Sequence, residues 1–243
     1  MAIFSSAPGK LILLGEYAVL EEAPALVAAV DRQARVTLVP SDDDFFWFSS
    51  STLNIKNIPF SIDPEGKVKL HHPIPDATRK KLIFFIAAIE YINQRTNQSL
   101  SQTPFKVITD TDEFYLRKDS AKLGLGSSAA HTVALTAALF SIEKGFDLSS
   151  DFYTLFKSAM DIHHLAQGKS GSGVNIAAAF TGVVYNTGCH SLQKITKTTS
   201  IPVLFILSFT LVQSGPVSPL QPCFWLKKYR NTNQLTLLDF NCS

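Results

Sequence analysis

Along the first seventy residues the apolar positions come in short runs broken by glycine, proline and aspartate. Ala2-Ile3-Phe4, Leu11–Leu14 and Arg35–Val39 read as strands, with Ala7-Pro8-Gly9-Lys10 as a turn between the first two. Asp42–Asp44 leads into a further strand at Phe45–Phe48, Leu53–Ile62 continues the pattern, and Asp63-Pro64-Glu65-Gly66 predicts a tight turn. The period changes at Asp76. From there Leu82, Phe85, Ile86, Ile89 and Ile92 recur at helical spacing, so one amphipathic helix is expected over Asp76–Arg95, with Asp76 as its N-cap. Phe105–Thr109 reads as a strand and Asp110–Leu123 as irregular chain.

Ser128–Lys144 is rich in Ala and Leu and predicts a helix closed by Gly145. Ser149 or Ser150 is placed to cap another helix reaching about Leu165. A second small-residue loop, Gln167–Gly173, precedes a helical start at Asn175–Phe180, and Val183–Tyr185 and Val203–Leu211 read as strands. Strands and helices mix without regular alternation and without internal repeats, which predicts an α+β fold rather than a doubly wound sheet.

Composition narrows the function classes. The chain has 243 residues, enough for one or two domains, and its 46% hydrophobic and 17% charged content is that of a folded protein. A formal net charge of +2 gives no electrostatic case for nucleic acid, and Arg79-Lys80-Lys81 and Lys227-Lys228-Tyr229-Arg230 read as solvated surface. Cys189, Cys223 and Cys242 are too widely spaced for a zinc ligand set or a disulfide framework, which suits a reducing cytosol. The start of the chain lacks the pattern of a signal peptide, and Ile201–Val212 is too short to span a bilayer. The expectation is a soluble, cytoplasmic protein with neither nucleic acid nor membrane as partner.

The main chemical signal is Lys122-Leu123-Gly124-Leu125-Gly126-Ser127-Ser128-Ala129-Ala130. Two glycines let the backbone approach a bulky anion. The helix start that follows offers unpaired N–H groups and a dipole that favours phosphate. Of two familiar nucleotide loops, one fails on spacing and the other fits poorly. Gly168-Lys169-Ser170 supplies the end of a P-loop, but the required first glycine falls on His163. The dinucleotide fingerprint is formally met by Gly124, Gly126 and Ala129, yet its acidic partner, Glu143, falls at a helix end where it cannot grip a ribose.

Gly124-Leu125-Gly126-Ser127-Ser128-Ala129 resembles the core of the second motif of the GHMP kinases, and Ser6–Leu20 is similar to their first motif almost residue for residue. The resemblance covers about residues 1–205. It implies a GHMP kinase N-terminal lobe (ribosomal protein S5 domain 2-like) over 1–200 as the ATP-binding domain. Residues 201–243 would be the start of a C-terminal lobe, largely missing, followed by a tail with no family match. His163–Gly173 resembles a signature of the phosphomevalonate kinase branch. Tyr17 and His163 stand where the mevalonate kinases have His and a magnesium-binding Glu. The implied reaction is phosphoryl transfer from ATP to 5-phosphomevalonate, with mevalonate kinase as the nearest alternative and a non-catalytic nucleotide-binding remnant as another.

By the same resemblance Lys122, Gly124, Leu125, Gly126, Ser127, Ser128 and Ala129 would wrap the ATP phosphates, with Ser128 as the magnesium contact. Lys10 would stabilise the transferred phosphoryl group and Glu16 would orient Lys10 or a neighbouring hydroxyl. Lys10, Tyr17, Lys169, Ser170 and Ser172 would hold the anionic substrate, while His163 and His164 read as helix-face residues. Two departures stand out. Asn175 occupies a position where the family has Asp, and an amide has no basicity to act as a general base. The family also runs well beyond this length, and the unmatched tail Pro216–Ser243 suggests a slip of reading frame near residue 210.

Overall fold

Two long strands set the frame on which the loop is mounted. In the computed structural model, which describes residues 2–17, 25–96, 99–116, 121–142, 151–168 and 173–180 and the strand segments 184–186, 193–194 and 210–212, β1 (Ile3–Leu14) pairs antiparallel with β2 (Ala25–Pro40). To them are added β3 (Phe46–Ser50), β4 (Ile55–Ile62), β5 (Val68–Leu70), β6 (Phe105–Asp110), β7 (Val184–Asn186), β8 (Gln193–Lys194) and β9 (Thr210–Val212). The sheet runs in the order β5-β4-β3-β6-β2-β1-β7-β8, with β9 on the first residues of β2, and β3 and β6 pair in parallel. The helices are α1 (Asp76–Lys81), α2 (Ile83–Arg95), α3 (Ser127–Phe140), α4 (Phe152–Gln167) and α5 (Val174–Phe180).

The α+β expectation is met, and the core explains it. Strand alternation turns Phe46, Phe48, Phe60, Phe105 and Val107 to one face of the sheet, where α2 brings Phe85, Ala88, Ile89 and Ile92. Phe48 and Phe85 lie 4.3 Å apart between ring centroids, and Phe46 meets Phe105 edge-on at 5.0 Å. Helix α3 is buried on nearly every side, packed between β1 and β2 and the helices α2, α4 and α5. Its alanines allow that close approach. Its two buried threonines are satisfied internally, Thr132 Oγ1 donating to the Ser128 carbonyl at 2.8 Å and Thr136 Oγ1 to that of Thr132 at 2.7 Å.

Several boundaries differ from expectation for physical reasons. Ala7-Pro8-Gly9-Lys10 is no turn but the middle of β1. The register jumps there, Pro8 facing Gln33 and Gly9 facing Val30, so Asp31 and Arg32 bulge out of β2 and bend the pair. Pro8 is tolerated because β7 pairs only with Phe4–Ser6, leaving that edge of β1 free of sheet partners among the described residues. The helix expected over Asp76–Arg95 divides at Leu82. Pro75, not Asp76, is the N-cap residue, and α1 buries nothing, whereas Leu82 is the first side chain to enter the core. The strand expected from Leu53 begins at Ile55, and α3 begins one residue early, at Ser127, and ends at Phe140.

Other expectations hold. Asp63–Gly66 closes as a turn, with the Gly66 N–H donating to the Asp63 carbonyl at 2.8 Å and Gly66 at φ +80°. After Asp110, the end of β6, the described residues up to Leu123 hold only a short 3-10 turn at Asp112–Phe114 and an isolated bridge between Tyr115 and Lys122. Gly145, Ser149, Ser150, most of Val203–Leu211 and the tail from 213 lie outside the described residues. No helix among the described residues is long and apolar enough to cross a membrane.

Candidate active site

The site begins at the bend in β1. Beyond Ser6 the strand has no sheet partner on the β7 side among the described residues, and the glycine loop takes that edge: the Lys10 N–H donates to the Leu125 carbonyl at 2.8 Å. Gly9 makes the contact feasible. A Cβ there would lie 2.7 Å from Leu125 O and 2.6 Å from Cε1 of the fully buried Phe114, so the loop backbone and that ring occupy the space a side chain would need. The approach to the loop is itself held, Leu123 N–H donating to Phe114 O at 2.9 Å and Leu116 N–H to Ala121 O at 2.9 Å.

The loop then turns through two left-handed residues, Gly124 and Gly126, each at φ +73°. Gly124 has nothing near its missing side chain, while a Cβ on Gly126 would strike Lys10 at Cγ (2.8 Å) and Cε (3.2 Å). The Lys10 stem therefore lies along Gly126. Gly126 is the N-cap of α3 and supplies no side-chain bond, so the N–H groups of Ser127, Ser128 and Ala129 begin the helix uncapped. Three N–H groups without a partner among the described residues, the positive end of a buried helix and a lysine laid along Gly126 form an arrangement chemically suited to phosphate.

Lys10 is only 9% exposed, and burial lowers its pKa, while the Glu16 carboxylate opposes that shift. No hydrogen bond or ion pair joins Lys10 to Glu16, so Glu16 acts on it through charge at a distance and not as an anchor. Glu16 and Lys122 are exposed, and Tyr17 is 78% exposed. Lys10 shares its side of β1 with Ile12, and Ile12 packs with Val27 against Val174 and Ala178 of α5. Asn175, half-buried in the first turn of α5, thus belongs to the element that covers the same strand face as Lys10. Lys169, Ser170 and Ser172 lie outside the described residues.

Two contributors were missed in the sequence. Gly9 carries a signal, since a glycine inside a strand marks a close backbone approach, but it was absorbed into a supposed turn. His163 reads in the sequence as a helix-face residue, yet it is 5% exposed, and its Nε2 lies 3.5 Å from Ser128 Oγ. The repeat Leu155, Ala159, Ile162, Ala166 along α4 puts His163 at the margin of the buried side. Burial, with His164 adjacent, lowers its pKa to about 4, so the ring is neutral at neutral pH.

The donor set suits magnesium only as a companion of phosphate. Among the described residues no group of three or more His, Cys, Asp or Glu side chains converges. Ser128 Oγ is the oxygen that the loop offers, and Mg²⁺ commonly fills the rest of its shell with phosphate oxygens and water.

An α+β domain whose glycine loop docks on a bent central strand and opens a buried helix is what the fold and site define. Residues 84–183 match the GHMP kinases N terminal domain. The chain is 32% identical over 185 residues to a phosphomevalonate kinase from Streptomyces sp. strain CL190, covering 74% of this chain and 48% of the relative. It is 28% identical over 197 residues to a mevalonate kinase from Saccharolobus solfataricus, covering 80% and 55%. Among solved structures, the Lin0012 protein of Listeria innocua is 29% identical with a TM-score of 0.60, covering 76% of this chain and 48% of that one. A Streptococcus pneumoniae phosphomevalonate kinase, solved in complex with phosphomevalonate and AMPPNP, shares the fold at 22% identity and a TM-score of 0.52, over 76% and 49% of the two chains. The chain spans about half the length of the curated relatives it matches.

Proposed function

We propose that the chain is the nucleotide-binding part of an ATP-dependent kinase of the mevalonate pathway, transferring phosphoryl to phosphomevalonate. The observation that carries this reading is the uncapped start of α3 with Lys10 packed on Gly126. Phosphoryl transfer is catalysed chiefly by positioning and charge stabilisation, and those are the two things this arrangement can supply. In the proposed roles the N–H groups of Ser127, Ser128 and Ala129, with Gly124, Leu125 and Gly126, hold the ATP phosphates. Lys122 stands at the exposed approach. Lys10 neutralises charge on the phosphoryl group, Glu16 keeps Lys10 protonated, and Ser128 Oγ is the donor to a magnesium ion, which when bound neutralises phosphate charge. Tyr17, Lys169, Ser170 and Ser172 are proposed for the acceptor.

The acceptor assignment rests on the phosphomevalonate kinases among the relatives and on His163 in place of a glutamate. Mevalonate kinases are present among the relatives too, so mevalonate is the second reading. Calorimetry with AMPPNP, followed by an ADP-release assay with mevalonate and phosphomevalonate in parallel, tests both. Absence of nucleotide binding would sink the function, and turnover with mevalonate alone would replace the acceptor.

Asn175 bears on how fast transfer can be. A carboxylate there would provide a base and a counter-charge for the strand face that carries Lys10. Asn175→Asp is therefore expected to raise kcat by about 10²-fold or more, the usual worth of a placed general base. AMPPNP affinity should stay unchanged. An unaltered kcat would remove residue 175 from the proposed chemistry and favour a nucleotide-binding protein without turnover.

A further inference from the structure

We infer that His163 is a positioning residue, its Nε2 accepting the Ser128 hydroxyl proton so that both Oγ lone pairs face the mouth of the loop. The inference rests on the reading of Gly124–Ala129 as a nucleotide-phosphate loop. His163 lies on α4 with its ring inclined against Phe84 at 5.3 Å between centroids. Its Nε2 is 3.5 Å from Ser128 Oγ and 3.4 Å from Gln167 Nε2. With its amide nitrogen toward the ring, Gln167 donates, an arrangement that calls for an unprotonated Nε2 and the imidazole hydrogen on Nδ1. Nε2 is thus a lone pair between two donors.

A serine hydroxyl has one hydrogen and two lone pairs. At the start of α3 a hydrogen turned outward would oppose a cation and compete with the helix N–H groups for phosphate oxygens. Turned toward His163, it leaves Ser128 a pure acceptor on its open side. Gln167, one helical turn beyond His163, holds the ring in the required tautomer.

Long-range proton–nitrogen correlation spectra of the labelled chain near neutral pH should report an unprotonated Nε2 and a protonated Nδ1, with the Nε2 resonance moved by Ser128→Ala. Calorimetry then measures how much magnesium tightens AMPPNP binding. His163→Leu is expected to reduce that gain by about 10–100-fold, the scale of lost outer-shell support at metal sites. His163→Gln, whose Oε1 can still accept, should retain it, and His163→Leu should add nothing in a Ser128→Ala background. His163→Met, unbranched and of similar reach, replaces Leu if the Leu variant unfolds. A protonated Nε2, or losses that multiply in the double variant, would overturn the role. An unprotonated Nε2 in a chain that binds no AMPPNP would overturn the loop reading, and this role with it.

Discussion

Lys10→Met is expected to remove phosphoryl transfer while leaving the fold as stable as before or more so. Lys10 is nearly buried, has no ion-pair partner among the described residues, and holds a proton against the pull of desolvation. Its charge is thus a cost to the folded chain that a methionine of similar length would not carry. Its value lies in the charge it presents beside the uncapped start of α3, and loss of one such donor lowers kcat by about 10²–10³-fold. Linkage supplies a second readout. A lysine whose folded pKa lies below its unfolded value of 10.5 takes up more protons when the chain unfolds. Stability should therefore rise with pH from the lowered folded value up toward the unfolded one, and Lys10→Met should flatten that rise. A Met variant with a lower melting temperature and intact turnover would contradict both halves.

Gly9→Ala is expected to damage stability and chemistry together. The new methyl group would meet a backbone oxygen at 2.7 Å, a buried aromatic carbon at 2.6 Å and Val30 Cγ2 at 3.1 Å. None is the free end of a flexible chain, so the loop itself has to move. The Lys10–Leu125 backbone bond and the stacking of Lys10 on Gly126 depend on that contact. Overpacking of this kind costs about 1–3 kcal/mol, readable from urea denaturation. A displacement of the phosphate cradle by about an ångström costs about 10²-fold in rate. Gly124→Ala is the useful contrast, because nothing lies within 4 Å of its missing Cβ. It should cost only the left-handed strain of about 1–2 kcal/mol. If Gly9→Ala proves milder than Gly124→Ala, the loop is not seated on β1 as described.

Much of the site was legible because its parts are local. A glycine pair followed by small residues at a helix start needs only a few consecutive positions, and Gly124, Gly126, Ser127 and Ser128 stand where that pattern puts them. The α+β class was legible because apolar period is also a short-range property. The misread turn at Ala7–Lys10 shows the limit. Proline and glycine punctuate a chain in most settings, and only a strand edge left free by a short β7, with a loop carbonyl waiting beside it, makes them strand residues. The split at Leu82 has the same origin, since a helical period does not say where the core begins.

The amino-acid order by itself determined the α+β class, most of the elements, the glycine loop at the start of α3 and the departure at Asn175, because each is carried by neighbours in the chain. Tertiary structure decided the rest. It laid Lys10 along Gly126 from more than a hundred positions away, reduced Glu16 to a distant charge, and brought His163 of α4 beneath Ser128. These pairings depend on how a bent strand, a buried helix and its cover pack against one another, and burial, which lowers the pKa of both Lys10 and His163, exists only after that packing is complete.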